Sequence, residues 1–186
     1  MASAATDVIT ILTADHREML ELVASIKQAR GPEERRDLAD TLIAEIMRHA
    51  VAEEMYVYPA IEDHVPEGTK EVEHDKEEHA EIVKVMKEVE RAEASGPAFM
   101  RHIGKLEELL RHHAHDEEDE QFPKLRAHVP ARKLLELGRQ VETAKKLAPT
   151  RPHPHAPHSE LFHKTVGVGV GMIDRLRDAL TGRQTG

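Results

Sequence analysis

The segment HAVAEEMYVYP at residues 49–59 returns as HAHDEEDEQFP at residues 113–123, an offset of 64 positions. The likeness runs on at the same offset, with Pro59, Ile61, His64, Val65 and Pro66 matched by Pro123, Leu125, His128, Val129 and Pro130. A chain built from two such copies is expected to fold as two equivalent halves packed against each other. A looser match sits upstream of each copy, where Asp15-His16-Arg17-Glu18-Met19-Leu20 pairs with Glu78-His79-Ala80-Glu81-Ile82-Val83. Each half therefore contributes one histidine and then a His-x-x-x-Glu.

Hydrophobic spacing puts both halves in helices. Ile9, Leu12, His16, Met19, Leu20 and Val23 share one face of a first helix, capped by Thr6 and running to about Arg30 before Gly31-Pro32. Leu38, Leu42, Ile46, His49, Glu53 and Tyr56 mark a second, from about Glu33 to Tyr58, with Pro59 just beyond it. Val72, Asp75, His79, Ile82, Val83, Met86 and Val89 mark a third, ending near Ser95-Gly96. Pro97 suits the first turn of a fourth, which continues through Ile103, Leu106, Leu110, His113 and Glu117 to Phe122. Short loops between four such helices predict an all-α fold, an antiparallel up-and-down four-helix bundle with additional C-terminal helices.

A fifth helix is expected over 131–147, on Leu134, Leu135, Leu137, Val141 and Ala144, with Gly138 as its weak point. The bundle with this helix is assigned to residues 1–147. Residues 148–164, rich in proline and histidine, read as a linker, and 165–186 as a tail with a short helix.

Two amino-acid types are decisive by their numbers. There is no cysteine, which excludes disulfides, thiolate zinc sites and iron–sulfur clusters, whereas there are 14 histidines. A net charge of −9, with basic residues interleaved among acidic ones, argues against a nucleic-acid partner. No long apolar run or leader-like start is present, so no membrane partner is expected and the expected location is cytoplasmic.

On a helix, positions i and i+4 differ by about 40° around the axis, so His49/Glu53 and His113/Glu117 each point one way. Leu42/Ile46 and Leu106/Leu110 share those faces. A charged glutamate on an otherwise apolar face needs a partner, and metal coordination supplies one. The competing reading, solvated surface pairs, does not account for the duplication in register. The ligand set is then His16, His49, Glu53, His79, His113 and Glu117, more donors than a tetrahedral zinc needs. Two carboxylates from opposed helices can bridge two ions about 3.5 Å apart, and nitrogen/oxygen sets of this kind suit iron or manganese. A ferritin-like site would instead use Glu-x-x-His, with single glutamates on the remaining helices.

Across residues 7–130 the order His16, His49-x-x-x-Glu53, His79, His113-x-x-x-Glu117 resembles the hemerythrin and HHE cation-binding family. The resemblance implies two iron ions, oxo- or hydroxo-bridged, with His16 and His49 on one, His79 and His113 on the other, and Glu53 and Glu117 bridging. Manganese is the alternative metal. Oxygen-carrying hemerythrins have a further histidine one turn before the position of His79, where this chain has Asp75.

Tyr56 lies on the ligand stripe one turn past Glu53, and is a candidate phenolate ligand or a core tyrosine; Tyr58 is expected to point elsewhere. Tyr56 and Glu120, its counterpart in the second half, are the candidate catalytic residues for proton movement. Asp75 lies on the His79 face and His74 about 140° from it, and either remains open as a ligand. His112 and His115 are set aside by their angle from His113, and His102 by its distance. His64 and His128 suit helix C-termini, and His153 and His155 belong to the linker. The expected activity is peroxide disproportionation, a catalase-like oxidoreductase reaction. The alternative is a non-catalytic protein binding or sensing oxygen, nitric oxide or iron.

Overall fold

The computed structural model describes residues 6–147, and the proposed linker and tail lie outside the described residues. The main helices are α1 (Val8–Gln28), α2 (Pro32–Ala52), α4 (Gly68–Arg91) and α5 (Pro97–Asp116), with shorter α3 (Tyr58–His64) and α6 (Phe122–His128) and the final α7 (Ala131–Leu147). Helices α1 and α2 form one antiparallel pair and α4 and α5 the other. The pairs meet through α1 against α5 and α2 against α4, and α7 packs across α1 and α2. Among the described residues none lies in a strand, and no helix is long and apolar enough to cross a membrane.

The boundaries differ from the sequence expectation in two ways. The first helix is capped by Asp7, not Thr6, because the Asp7 carboxylate accepts the Thr10 N–H at 2.9 Å. The second and fourth helices run past their prolines to His64 and His128, through π-helical turns at Glu53–Val57 and Glu117–Gln121. In each turn the N–H of Tyr58 or Phe122 donates to the carbonyl five residues back, on Glu53 or Glu117. An α-helical proline would lose its bond and press its ring on the carbonyl four residues earlier; the wider turn gives Pro59 and Pro123 room to sit without ending the helix.

The core is divided. Met19, Val23, Leu42, Ile46, Met86, Phe99, Ile103 and Leu106 form one apolar cluster, and Leu12, Val57, Tyr58, Ile61, Val72, Phe122, Leu125 and Leu137 another. On every long helix of the bundle the residues between the two are polar: Asp15 and His16, His49 and Glu53, Asp75 and His79, His113 and Glu117. A buried polar layer costs stability unless its members satisfy one another or share a ligand. The apolar clusters on either side keep water from this one. Gly138 explains itself in the same packing. A Cβ there would stand 2.3 Å from the Thr6 carbonyl oxygen and 3.1 Å from the Val8 nitrogen, so only glycine lets α7 approach the start of α1 this closely.

Candidate metal centre

All six residues singled out by the repeat are at most 7% exposed, and Glu53 is 0% exposed. Donor atoms of His16, His49, Glu53, His113 and Glu117 lie within 4.8 Å of one another. His79 completes the set, its Nε2 being 3.3 Å from His113 Nε2 and 3.4 Å from Glu53 Oε2. The four imidazoles form two pairs, His16 with His49 at 3.2 Å between Nε2 atoms and His79 with His113.

Each Nδ1 faces outward to a carboxylate, and the partners obey the internal repeat. His49 meets Asp15 at 3.2 Å and His113 meets Glu78 at 2.8 Å. His16 meets Glu118 at 2.8 Å and His79 meets Glu54 at 3.3 Å. A carboxylate at Nδ1 holds the proton there, which turns the lone pair of every Nε2 inward. Two lone pairs facing each other at 3.2 Å repel unless a proton or a metal ion lies with them. The glutamates reach both pairs. Glu53 places Oε1 3.0 Å from His49 Nε2 and Oε2 3.4 Å from His79 Nε2. Glu117 places Oε2 3.1 Å from His16 Nε2 and Oε1 3.7 Å from His113 Nε2. Both oxygens of Glu53, and Oε2 of Glu117, are buried without a hydrogen-bond partner. Buried carboxylate oxygens without a hydrogen-bond partner, with imidazole nitrogens aimed at the same space, make a donor set suited to a cation.

Proton affinities follow from the same crowding. Burial alone would depress His49, but Glu53, Asp15 and Glu117 outweigh it and raise the imidazole to about 9. Burial likewise opposes the rise of His113 and His79, which Glu117 and Glu53 bring about. Glu53 is held well below the usual carboxylate range, its desolvation overcome by His49, His113 and His79. Without metal, the cluster keeps its charge balance by binding protons.

The remaining candidates fall elsewhere. Tyr56 is half-buried and lines a groove against α7 with Glu136, Arg139, Gln140 and Thr143, and Glu120 is exposed. Neither belongs to the cluster. It is Tyr58 that does: it is 1% exposed, stacks on the His79 ring with centroids 5.8 Å apart, and sets its hydroxyl 3.3 Å from His79 Nε2. Along a π turn the neighbour one turn on is i+5, not i+4, so the face of Glu53 leads to Tyr58 and that of Glu117 to Phe122. Phe122 stacks on His16 with centroids 6.0 Å apart, as the repeat requires. Sequence reasoning missed this because it kept the α-helical period from Glu53 up to Pro59, where the turn is π-helical; a proline six residues after both glutamates was the available signal.

His74 is exposed, and Asp75 is fully buried, taking a hydrogen bond from Gln121 Nε2 at 2.5 Å. His112 and His115 are exposed, and half-buried His102 pairs with Glu88 at 3.0 Å. Helix α7 also reaches the site, through a Lys145 ammonium ion-paired with Asp15.

The sequence pattern of the Hemerythrin HHE cation binding domain matches residues 7–125, which contain all six clustered donors. The chain belongs to this family. An uncharacterised hemerythrin-like protein of Schizosaccharomyces pombe is 30% identical over 167 residues, covering 89% of this chain and 82% of the yeast protein. A DNA nickase of Nostoc is 21% identical over 135 residues, where this hemerythrin-like chain spans only 38% of that protein. The crystal structure of a hemerythrin HHE cation binding domain-containing protein from Mycobacterium kansasii superposes with a TM-score of 0.69 at 21% identity. It covers 92% of this chain and 99% of its own. The fold is thus a hemerythrin-type helical bundle, and its His/Glu cluster is a site able to hold metal.

Proposed function

We propose that this protein is a non-haem di-iron oxidoreductase that disproportionates hydrogen peroxide. The carrying observation is that Glu53 and Glu117 each divide their two oxygens between the two histidine pairs, which is what a carboxylate shared by two ions must do. Iron, when bound, would supply the two-electron redox couple that converts two peroxides into dioxygen and two waters.

The protein's own residues supply position and protons. The carboxylates on Nδ1 fix the imidazoles, and the apolar clusters exclude bulk water. Asp75 favours peroxide over reversible gas binding. In the metal-free protein burial first, and Glu117 next, push its carboxyl up to about 7, and its Oδ2 is buried with no hydrogen-bond partner. In disproportionation the reduction of one peroxide to two waters takes up two protons and the oxidation of the other releases two, so groups that hold protons between the two halves are needed, a role this acid and the Tyr58 hydroxyl would fill.

The test is oxygen evolution from added peroxide by iron-loaded protein, with metal analysis alongside. Two irons per chain and turnover above that of free iron are expected, with Asp75→Asn slowing turnover at unchanged iron content. Turnover no faster than free iron would overturn the activity, and a spectrum that reverses on deoxygenation would assign the site to gas binding.

A further inference from the structure

Outside the buried centre, and besides the exposed ion pair His115/Asp119, the His-x-x-x-acid spacing occurs twice more, as His74/Glu78 on α4 and His112/Asp116 on α5. The two pairs face each other across the antiparallel helices. His74 Nε2 is 3.7 Å from Glu78 Oε1 and 3.8 Å from Asp116 Oδ2. His112 sets Nε2 3.5 Å from the same Glu78 oxygen and Nδ1 3.5 Å from Asp116 Oδ1. These separations are too long for good hydrogen bonds, whose usual range is about 2.7–3.2 Å. Donor atoms of His74, Glu78 and Asp116 gather within 4.8 Å of one another, and a tetrahedral shell with bonds of about 2.1 Å sets its ligand atoms roughly 3.4 Å apart; His112, whose two nitrogens turn to different carboxylates, can offer an ion only one of them.

Glu78 points to a ligand independently. Its Oε2 is taken by His113 Nδ1 at 2.8 Å, while Oε1 is buried with no hydrogen-bond partner and faces both surface imidazoles. The cluster borders an open groove of about 520 Å³, lined also by Glu77, Ile82 and Leu109, so an ion has access from solvent. We infer that His74, Glu78 and Asp116, with His112 Nε2 as the fourth donor, form a second, surface binding site for a divalent transition ion of the zinc type. Two imidazoles and two carboxylates give it neutral-plus-anionic donors without sulfur, a set suited to zinc or cobalt(II). Glu78 belongs to both places, with one oxygen steadying a ligand of the buried centre and the other turned to the surface ion.

The site does not depend on what the buried centre does, and the test separates the two. Full-length protein, first saturated with iron, is titrated with zinc chloride against a chromophoric chelator and in parallel with cobalt(II) chloride. The wild type is expected to take up one further ion per chain, with the intense visible absorption of tetrahedral cobalt(II). His74→Ala/His112→Ala is expected to lose that ion, its affinity falling at least 100-fold, while iron content stays unchanged. Both side chains are more than half exposed, at 56% and 62%, so their removal leaves the core intact. Asp116→Asn should weaken binding about tenfold. Iron that fails to bind would count against the proposed function alone, since the zinc difference between the two proteins is still read. Zinc uptake equal in the wild type and the double variant, or cobalt(II) bound only with weak octahedral absorption, would overturn the inference.

Discussion

Gly104 and Gly138 offer the same substitution in two helix interiors with opposite expected signs. Replacing a helical glycine by alanine is worth about 1 kcal/mol, because the glycine loses more freedom on folding. At position 104 a Cβ would meet nothing within 4 Å, so Gly104→Ala should keep that gain. At position 138 the Cβ would stand 2.3 Å from the Thr6 carbonyl oxygen, over an ångström inside ordinary contact, and the obstacle is backbone. Overpacking of this kind costs about 1–3 kcal/mol or more, which cancels and then exceeds the helix gain. Helix α7 must move off α1, which pulls Lys145 from Asp15 and loosens the hold on His49. For a chain of this size each kcal/mol shifts the melting temperature by about 2–4 °C. Thermal melts of metal-free protein followed by circular dichroism should show Gly104→Ala a few degrees above the wild type and Gly138→Ala at least as far below. A Gly138→Ala protein as stable as Gly104→Ala would refute the close approach of α7.

The carboxylates behind the imidazoles should matter as much as their distances suggest: Asp15→Ala and Glu118→Ala are each expected to lower metal affinity about 10–100-fold in a chelator competition. Because His49 is raised to about 9, metal must displace its proton, so affinity should strengthen with pH up to about 9 and protons should appear in weakly buffered solution. The same shift makes His49 stabilise the metal-free fold below its unfolded value of about 6.5, a contribution lost as pH rises through 9, so that fold should melt lower at pH 10 than at pH 6. Glu90 is pushed up to about 7, by burial first and Asp40 next, and its folded form therefore holds a proton the unfolded chain releases from about 4.5 upward. Glu90→Gln should raise urea resistance at pH 8 and change little at pH 4. Tyr58→Phe should alter the visible spectrum of the iron-loaded protein, and Tyr56→Phe should leave it unchanged.

The clustering of the six donor side chains and the four-helix arrangement were legible in the sequence because they rest on short-range geometry. An i, i+4 spacing places His49 with Glu53 and His113 with Glu117 whatever the rest of the chain does, and the duplication signals that both must face one interior. What depends on other elements was not legible. Tyr58 rather than Tyr56 joins the cluster because an i+5 turn precedes Pro59, and a wide turn is favoured only where packing holds it in place. Asp15, Glu54, Glu78 and Glu118 look in sequence like ordinary surface acids; only the bundle brings them to the imidazole nitrogens of other helices. Gly138 read as a weakness of the last helix until the start of α1 was seen against it. Side chains on one helix share a fixed frame that the chain itself encodes, whereas contacts between helices are set by how all of them pack at once.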